Sequence, residues 1–312
     1  MAAYILRRLW QIVPTLAGVV LLIFFLFKLF GGDPAQILAG QIASQEQIDA
    51  IRRELGLDRP WYVQLGIFVR EILTFDWGKS WITREEVKHI FESRLPATLT
   101  ITIPILLLEA ALAIPTAMLV AYYRGTLLDR TVIAICVAAM SVSFLVYIIV
   151  GQYVFGFQLG WFPVQGWSDS VVTNLTTYVP LPLMLALLVG LAPQTRLYRT
   201  FFLDELGHDY VRTARAKGLS EPAILRKHVL RNALVPVVTN LSLLIPGVFV
   251  GSFLLEIFFS IPGLGREIYL AVNRSDYPVI QAVTIYLSVL TMLINLTADV
   301  LYSFVDPRIQ LR

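Results

Sequence analysis

The sequence predicts an all-α integral membrane protein with six transmembrane helices, and three observations carry that prediction. The 312 residues are 57% hydrophobic and 15% charged, against roughly 25% charged in an ordinary soluble domain. Six stretches reach the about 20 mainly apolar residues that cross roughly 30 Å of hydrocarbon: 10–30, 97–123, 131–157, 178–197, 233–258 and 279–304. Basic residues gather in the short connections at one side of these stretches. A water-soluble globule is excluded by the shortage of charge. A disordered or fibrous chain is excluded by the apolar content and the lack of a short period. The single cysteine, Cys136, lies in an apolar run, so no internal disulfide forms.

The first stretch follows Arg7 and Arg8. It is too long for a signal-peptide core and lacks a clear small-residue cleavage site, so it reads as a retained anchor. The segment 31–96 reads as an extracytoplasmic loop of short surface helices. Ser44 with Gln47 and Thr83 with Glu86 have capping-box spacing. Gly56 and Pro60 punctuate the first helix, and Asp76-Trp77-Gly78 makes a turn. Gly78-Lys79-Ser80 looks like the end of a phosphate-binding loop, but Leu73 stands where the first glycine of that motif belongs. No nucleotide site is expected in the chain.

Arg124 and Arg130 bracket the turn between the second and third stretches. Arg196, Arg199, Arg212, Arg215, Lys217, Arg226, Lys227 and Arg231 fill the fourth connection, and Arg308 and Arg312 follow the last stretch. All fall on one side if six crossings exist, which places both termini, including the tail 305–312, in the cytoplasm. Pro104, Pro115, Pro180, Pro182, Pro193, Pro236 and Pro246 lie within the crossings. Each removes a backbone donor that lipid cannot replace, which favours a packed bundle of kinked helices.

Four charges accompany the apolar runs. Lys28 and Glu256 lie near outer ends and Asp299 near an inner end, where side chains can reach water. Glu109 sits mid-span between Pro104 and Pro115, either paired structurally or lining a path. Thr98, Thr100, Thr102, Thr239, Asn240 and Ser242 are candidates for hydrogen bonds across helices. His89, His208 and His228 have no metal-site spacing, and Asn174-Leu175-Thr176 is read as an incidental match to a glycosylation acceptor.

The connection 199–232 carries the most information. Leu206, Tyr210, Val211 and Ala214 recur at helical spacing, with Arg212 and Arg215 on other faces. Gly218 breaks that helix. Ser220 can cap a second helix whose first turn tolerates Pro222, and Ile224, Leu225 and Val229 continue an apolar stripe. Periodicity and charge alone leave two readings open: a pair of interfacial helices facing anionic headgroups, or a protein-docking element.

At these residues the chain resembles a known family. Asp209-Tyr210-Val211-Arg212-Thr213-Ala214-Arg215-Ala216-Lys217-Gly218-Leu219, followed by His228-Val229-Leu230-Arg231-Asn232-Ala233-Leu234-Val235-Pro236, is similar to the coupling loop of dipeptide and oligopeptide ABC importer permeases, of the DppB/OppB subunit type. Further similarities run in order along the chain: Ile12-Val13-Pro14-Thr15, Gly32-Asp33-Pro34, Glu54-Leu55-Gly56-Leu57-Asp58, Glu256-Ile257-Phe258, Pro262-Gly263-Leu264-Gly265, Asp299-Val300-Leu301-Tyr302 and Asp306-Pro307-Arg308. The wider family's Glu-Ala-Ala triplet is Arg212-Thr213-Ala214 here, and Arg231 replaces a proline, while Gly218 and Leu230 fit.

The resemblance implies a type I ABC importer permease in the bacterial inner membrane. It implies a second homologous permease as heterodimer partner, two ATP-binding cassette subunits that hold ATP and Mg, and an extracytoplasmic peptide-binding protein. This chain would have no cofactor, metal, catalytic residue or nucleic-acid partner of its own. The implied ATPase-coupling residues are Asp209, Tyr210, Arg212, Ala214, Arg215, Gly218, Leu219, Ile224 and Arg231. Glu109, Thr239, Asn240 and Glu256 are the interior polar or path-lining candidates. Similar permeases carry dipeptides, longer peptides, glutathione, nickel complexes or sugars, so the substrate stays open. An ion-coupled carrier is the competing class, against which the lack of an evident internal repeat argues.

Overall fold

The computed structural model describes residues 2–40 and 43–305, without the side chains of 2–9, 30 and 298–305. Expectations for Arg7, Arg8, Asp299, Arg308 and Arg312 therefore lie outside the described side chains. Among the described residues helices joined by turns and irregular connections make up the chain, and the β structure is one isolated antiparallel bridge, Lys79 to Glu86.

α1 (Ala2–Phe30) contains Pro14. After it, Asp33 caps α2 (Pro34–Ala39) by accepting the Ala35 amide at 3.0 Å. The Ser44/Gln47 capping box starts α3 (Gln45–Glu54), with reciprocal bonds of 3.0 and 3.4 Å. Pro60 then leads into α4 (Trp61–Thr74). The second capping box does not form. The Ser80 hydroxyl, itself bonded to Asp276, accepts the amides of Ile82 and Thr83 at 3.2 and 2.9 Å, which holds Thr83 in a turn. The next helix, α5 (Val87–Tyr122), consequently starts after Glu86 with no side-chain cap.

α5 is 36 residues long and keeps Pro96, Pro104 and Pro115 inside one helix. The expected third crossing, by contrast, is broken: α6 (Leu127–Met140) and α7 (Phe144–Gly151) meet at 89°. Local bonds make the break. Ser141 Oγ donates back to the Val137 carbonyl at 2.8 Å, Ser143 turns extended, and the Tyr147 hydroxyl donates to the Ala139 carbonyl at 3.1 Å. α7 runs on as a π-helical stretch to Gln158. A single turn, α8 (Val171–Thr173), precedes α9 (Pro180–Leu206), which extends nine residues past the expected end at Leu197 and carries Arg199 on the helix itself.

α10 (Asp209–Ala216) and α11 (Glu221–Ile224) follow. α12 (Leu230–Val250) contains Pro236 and Pro246 and stops where Gly251 takes φ +77°. The expected fifth crossing is thereby divided, its last part forming α13 (Phe253–Phe258). α14 (Leu264–Asn273) and α15 (Tyr277–Val305) complete the chain described. Among the described residues five helical segments are long and apolar enough to cross a membrane, Glu221–Phe258 counting as one across the interruption at Gly251, or six if the bent pair counts as one crossing.

α5 is the spine. Val87 and Ile90 at its start pack with Leu264, Ala271 and Val279 of α14 and α15. Ala97 and Ile101 pack with α7, α9 and α13 through Ile148, Leu185 and Leu255. At its far end Ala113, Ala117 and Ala121, spaced four apart on one face, receive Tyr198 and Phe202 of α9 together with Val211, Ile224 and Val237. Small residues on such a face let backbones approach closely where lipid provides no hydrophobic drive to associate. The segments 31–40 and 43–86 and the α10–α11 hairpin thus sit at opposite ends of the bundle, the loop end and the hairpin end.

Candidate functional site

The hairpin is built from its buried face outward. Val211 and Ala214 of α10, Ile224 of α11 and Val229 just beyond it are buried against the ends of α5, α9 and α12. Asp209, Arg212, Lys217, Leu219 and Arg231 are exposed. The coupling candidates therefore divide by position: Ala214 and Ile224 brace the hairpin, and the others stand at or near its surface. Gly218 has φ +78° and closes a Schellman turn, its own amide donating to Arg215 at 2.9 Å and that of Leu219 to Ala214 at 3.3 Å. Nothing lies within 4 Å of where a Cβ would stand on Gly218, so the backbone alone requires glycine.

Arg215 bridges the turn to Glu221 with bonds of 2.7 and 3.2 Å. Tyr210 donates to Glu205 at 2.5 Å, joining α10 to the end of α9, and burial together with that carboxylate pushes its phenol up to about 12. Ser220 occupies the N-cap position of α11 but makes no side-chain cap bond. Nearby, Arg199 of α9 grips Asp129 of α6 through two bonds of 2.8 Å, and Asp129 also accepts the Gly125 amide at 2.8 Å.

A second feature lies within the bundle. A cavity of about 320 Å³ between α5, α7, α9 and α12 is lined by Thr102, Glu109, Phe144, Gln194, Gly247 and Leu255, among others. The Glu109 carboxylate lies against Gly190, where a Cβ would stand 2.8 Å from Oε1. Among the described residues Glu109 makes no hydrogen bond or ion pair, and the buried Oε1 of Gln194 accepts none. This wall thus offers unmatched acceptors to N–H donors or cations.

The other interior candidates have separate places. Thr239 is exposed and donates to Val235 of its own helix, whereas Asn240 accepts from Tyr198 at 3.1 Å. Thr100 and Ser242 also bond four residues back, while Thr102 reaches across to the Val248 carbonyl at 2.8 Å. A hydroxyl on a helix can satisfy itself on the preceding turn, which explains why spacing alone overstated the cross-helix set.

Glu256 does not reach water; its relative exposure is 0%. Its carboxylate accepts the Thr98 hydroxyl at 3.0 Å and the Arg266 amide at 2.7 Å, and Thr98 in turn accepts the Leu264 amide at 2.8 Å. Gly251, Gly263 and Gly265 surround it: a Cβ on Gly251 or Gly263 would collide with the carboxylate, and one on Gly265 would stand in tight contact at 3.0 Å. Glu256 therefore fastens α13 to α5 and to the first turn of α14, where a negative group also meets the positive end of the helix dipole. It does not line the cavity.

Against known proteins, residues 113–311 match the family described as binding-protein-dependent transport system inner membrane component, and residues 1–102 match that of the N-terminal part of binding-protein-dependent transport system membrane components. A Brucella abortus (strain 2308) protein named as a peptide transport system permease is 36% identical over 99% of each chain. The glutathione transport system permease protein GsiC of Salmonella typhimurium (strain LT2) is likewise 36% identical over 99% of each chain.

Proposed function

Because the chain belongs to the family of binding-protein-dependent transport system inner membrane components, the multi-pass permease subunits of ABC importers, we propose that it forms half of an import path for di- or oligopeptides. Its partners in this reading are a second, homologous permease, two ATPase subunits that bind ATP and Mg, and an extracytoplasmic binding protein that delivers cargo. The hairpin from Asp209 to Arg231 is the ATPase dock.

The observation that carries this is the division of the hairpin into two faces. One face shares a hydrophobic core with the ends of α5, α9 and α12, and the other presents Asp209, Arg212 and Leu219 outward. An element so rooted transmits displacement as a rigid body, because close-packed interiors move in discrete steps rather than deforming continuously. Glu109 and Gln194 lie on the same three-helix frame, so movement of the hairpin reshapes the cavity they line. Peptides carry an ammonium group and many amide N–H donors, which suit the unmatched acceptors there.

Leu219→Arg is expected to weaken co-purification of the ATPase by about tenfold or more, as loss of an interface anchor does, and to uncouple ATP turnover from uptake. Unchanged assembly and coupling would remove the hairpin from this role. Glutathione is a second cargo reading, favoured by the equal similarity to a glutathione permease. Mass spectrometry of the cargo held by the cognate binding protein separates the two.

A further inference from the structure

At the loop end five segments of chain line a half-open cavity of about 500 Å³. Its apolar wall is Phe24 and Phe27 of α1 with Ile67 and Phe68 of α4. Its polar wall holds charges of both signs. Asp33 and Arg52 are already bonded to each other. Lys28 donates to Gln64 at 3.0 Å and retains its remaining donors, Lys79 lines the same space, and Glu71 makes no side-chain hydrogen bond among the described residues. Burial and then neighbouring Asp76 push the Glu71 carboxyl up, as expected of a carboxylate facing a cavity without a cation beside it.

The depth of this cavity is fixed by its walls. α1 and α15 are candidate membrane spans, and the cavity is lined by the α1 residues that end its apolar run and by Tyr277, which begins α15. Trp77, Trp81 and Tyr277 stand around it, and Trp61 packs on Phe25 at 5.9 Å. Trp and Tyr concentrate where hydrocarbon meets headgroups. α4 buries none of its residues although it is mostly apolar, and Tyr62, Val69 and Leu73 form an exposed stripe on it.

We propose that this cavity holds the headgroup and glycerol region of a zwitterionic phospholipid of the phosphoethanolamine type. The phosphate lies by Lys28 and Lys79, the ammonium by Glu71, and the first acyl carbons against Phe24, Phe27 and Phe68. Charge-assisted hydrogen bonds to both headgroup ions give the site its selectivity, and the aromatic wall takes the apolar part. A peptide zwitterion shares the ammonium but brings no acyl chains, so the headgroup stripped of its chains distinguishes a soluble source from a lipid.

The test uses the full-length chain with its co-purifying subunits in mixed-lipid nanodiscs, followed by native mass spectrometry of retained lipid. Phosphatidylethanolamine is expected to be retained over phosphatidylglycerol, and glycerophosphoethanolamine is expected not to displace it. Glu71→Gln should cut that preference by about tenfold, the worth of one well-placed charge pair. Ile67→Trp, which fills the cavity and leaves the charges in place, should reduce retention of both lipids while the melting temperature stays near that of the parent. Equal retention of the two lipids, displacement by glycerophosphoethanolamine, or retention unaltered in both variants overturns the assignment.

Discussion

A carboxylate with no exposure, seated among three glycines, makes Glu256 sensitive in both directions. Shortening it to alanine strands the Arg266 amide and the Thr98 hydroxyl, at about 1–3 kcal/mol for each buried group left unsatisfied. Enlarging its surroundings is no safer. Gly251→Ala combines φ +77° with a collision against the carboxylate, and overpacking alone costs about 1–3 kcal/mol. Both variants should lower the melting temperature of the detergent-solubilised protein, and a parent-like transition for either would contradict the geometry. Gly218 differs because open space surrounds it and only its backbone angle is demanding. Gly218→Asn should behave almost as the parent in stability and coupling, since asparagine tolerates the left-handed region, whereas a β-branched residue such as valine should destabilise the turn by about 1–2 kcal/mol.

Between elements, the Asp129–Arg199 pair joins α6 to α9. Asp129→Ala leaves a half-buried guanidinium and the Gly125 amide without their acceptor, at about 1–3 kcal/mol for such unsatisfied groups. The double variant with Arg199→Met should recover part of that loss in a thermal-melt cycle. Asp33 makes a pH-dependent tie between α2 and α3. Partial burial pushes its carboxyl up, but the hydrogen bonds from Arg52 and the Ala35 amide outweigh this and hold it below 3.8. The stability it contributes is thus present above pH 3.8 and lost as pH falls through the lowered value. Amide exchange in residues 35–39 and 45–54 should quicken in that acid window, and Asp33→Asn should abolish the change.

These elements also show what could be read beforehand. Gly56, Gly218 and the Ser44/Gln47 box announce themselves because each turn's chemistry lies within a few residues. The span break at Ser141-Val142-Ser143 was hidden, since it contains neither proline nor glycine, while the three prolines of α5 interrupt nothing. Asp129 carries no local signal because its partner lies 70 residues away, and the enclosure of Glu256 depends on a hydroxyl 158 residues distant. The same distance hid the loop-end cavity, whose walls come from both ends of the chain.

At the scale of the whole molecule, one long helix connects the loop end to the hairpin end, so the orientation of either fixes the other. Single cysteines placed at 54 and at 218 should label from opposite faces of a sealed vesicle, with 218 reached from the cytoplasmic face. Labelling of both from the same side would break the topology. The bent α6–α7 pair has a consequence of its own. At about 1.5 Å per residue the 14 residues of α6 rise only about 21 Å, short of the roughly 30 Å of hydrocarbon. The turn at Ser141, Val142 and Ser143 is exposed in the isolated chain, and it joins the end of one helix to the start of the next, where the last carbonyls and first amides lie outside the helical ladder. Acyl chains cannot solvate such ends. That flank of the subunit is therefore unsuited to face lipid, and a neighbouring polypeptide or a column of water must stand there when the chain is in the bilayer.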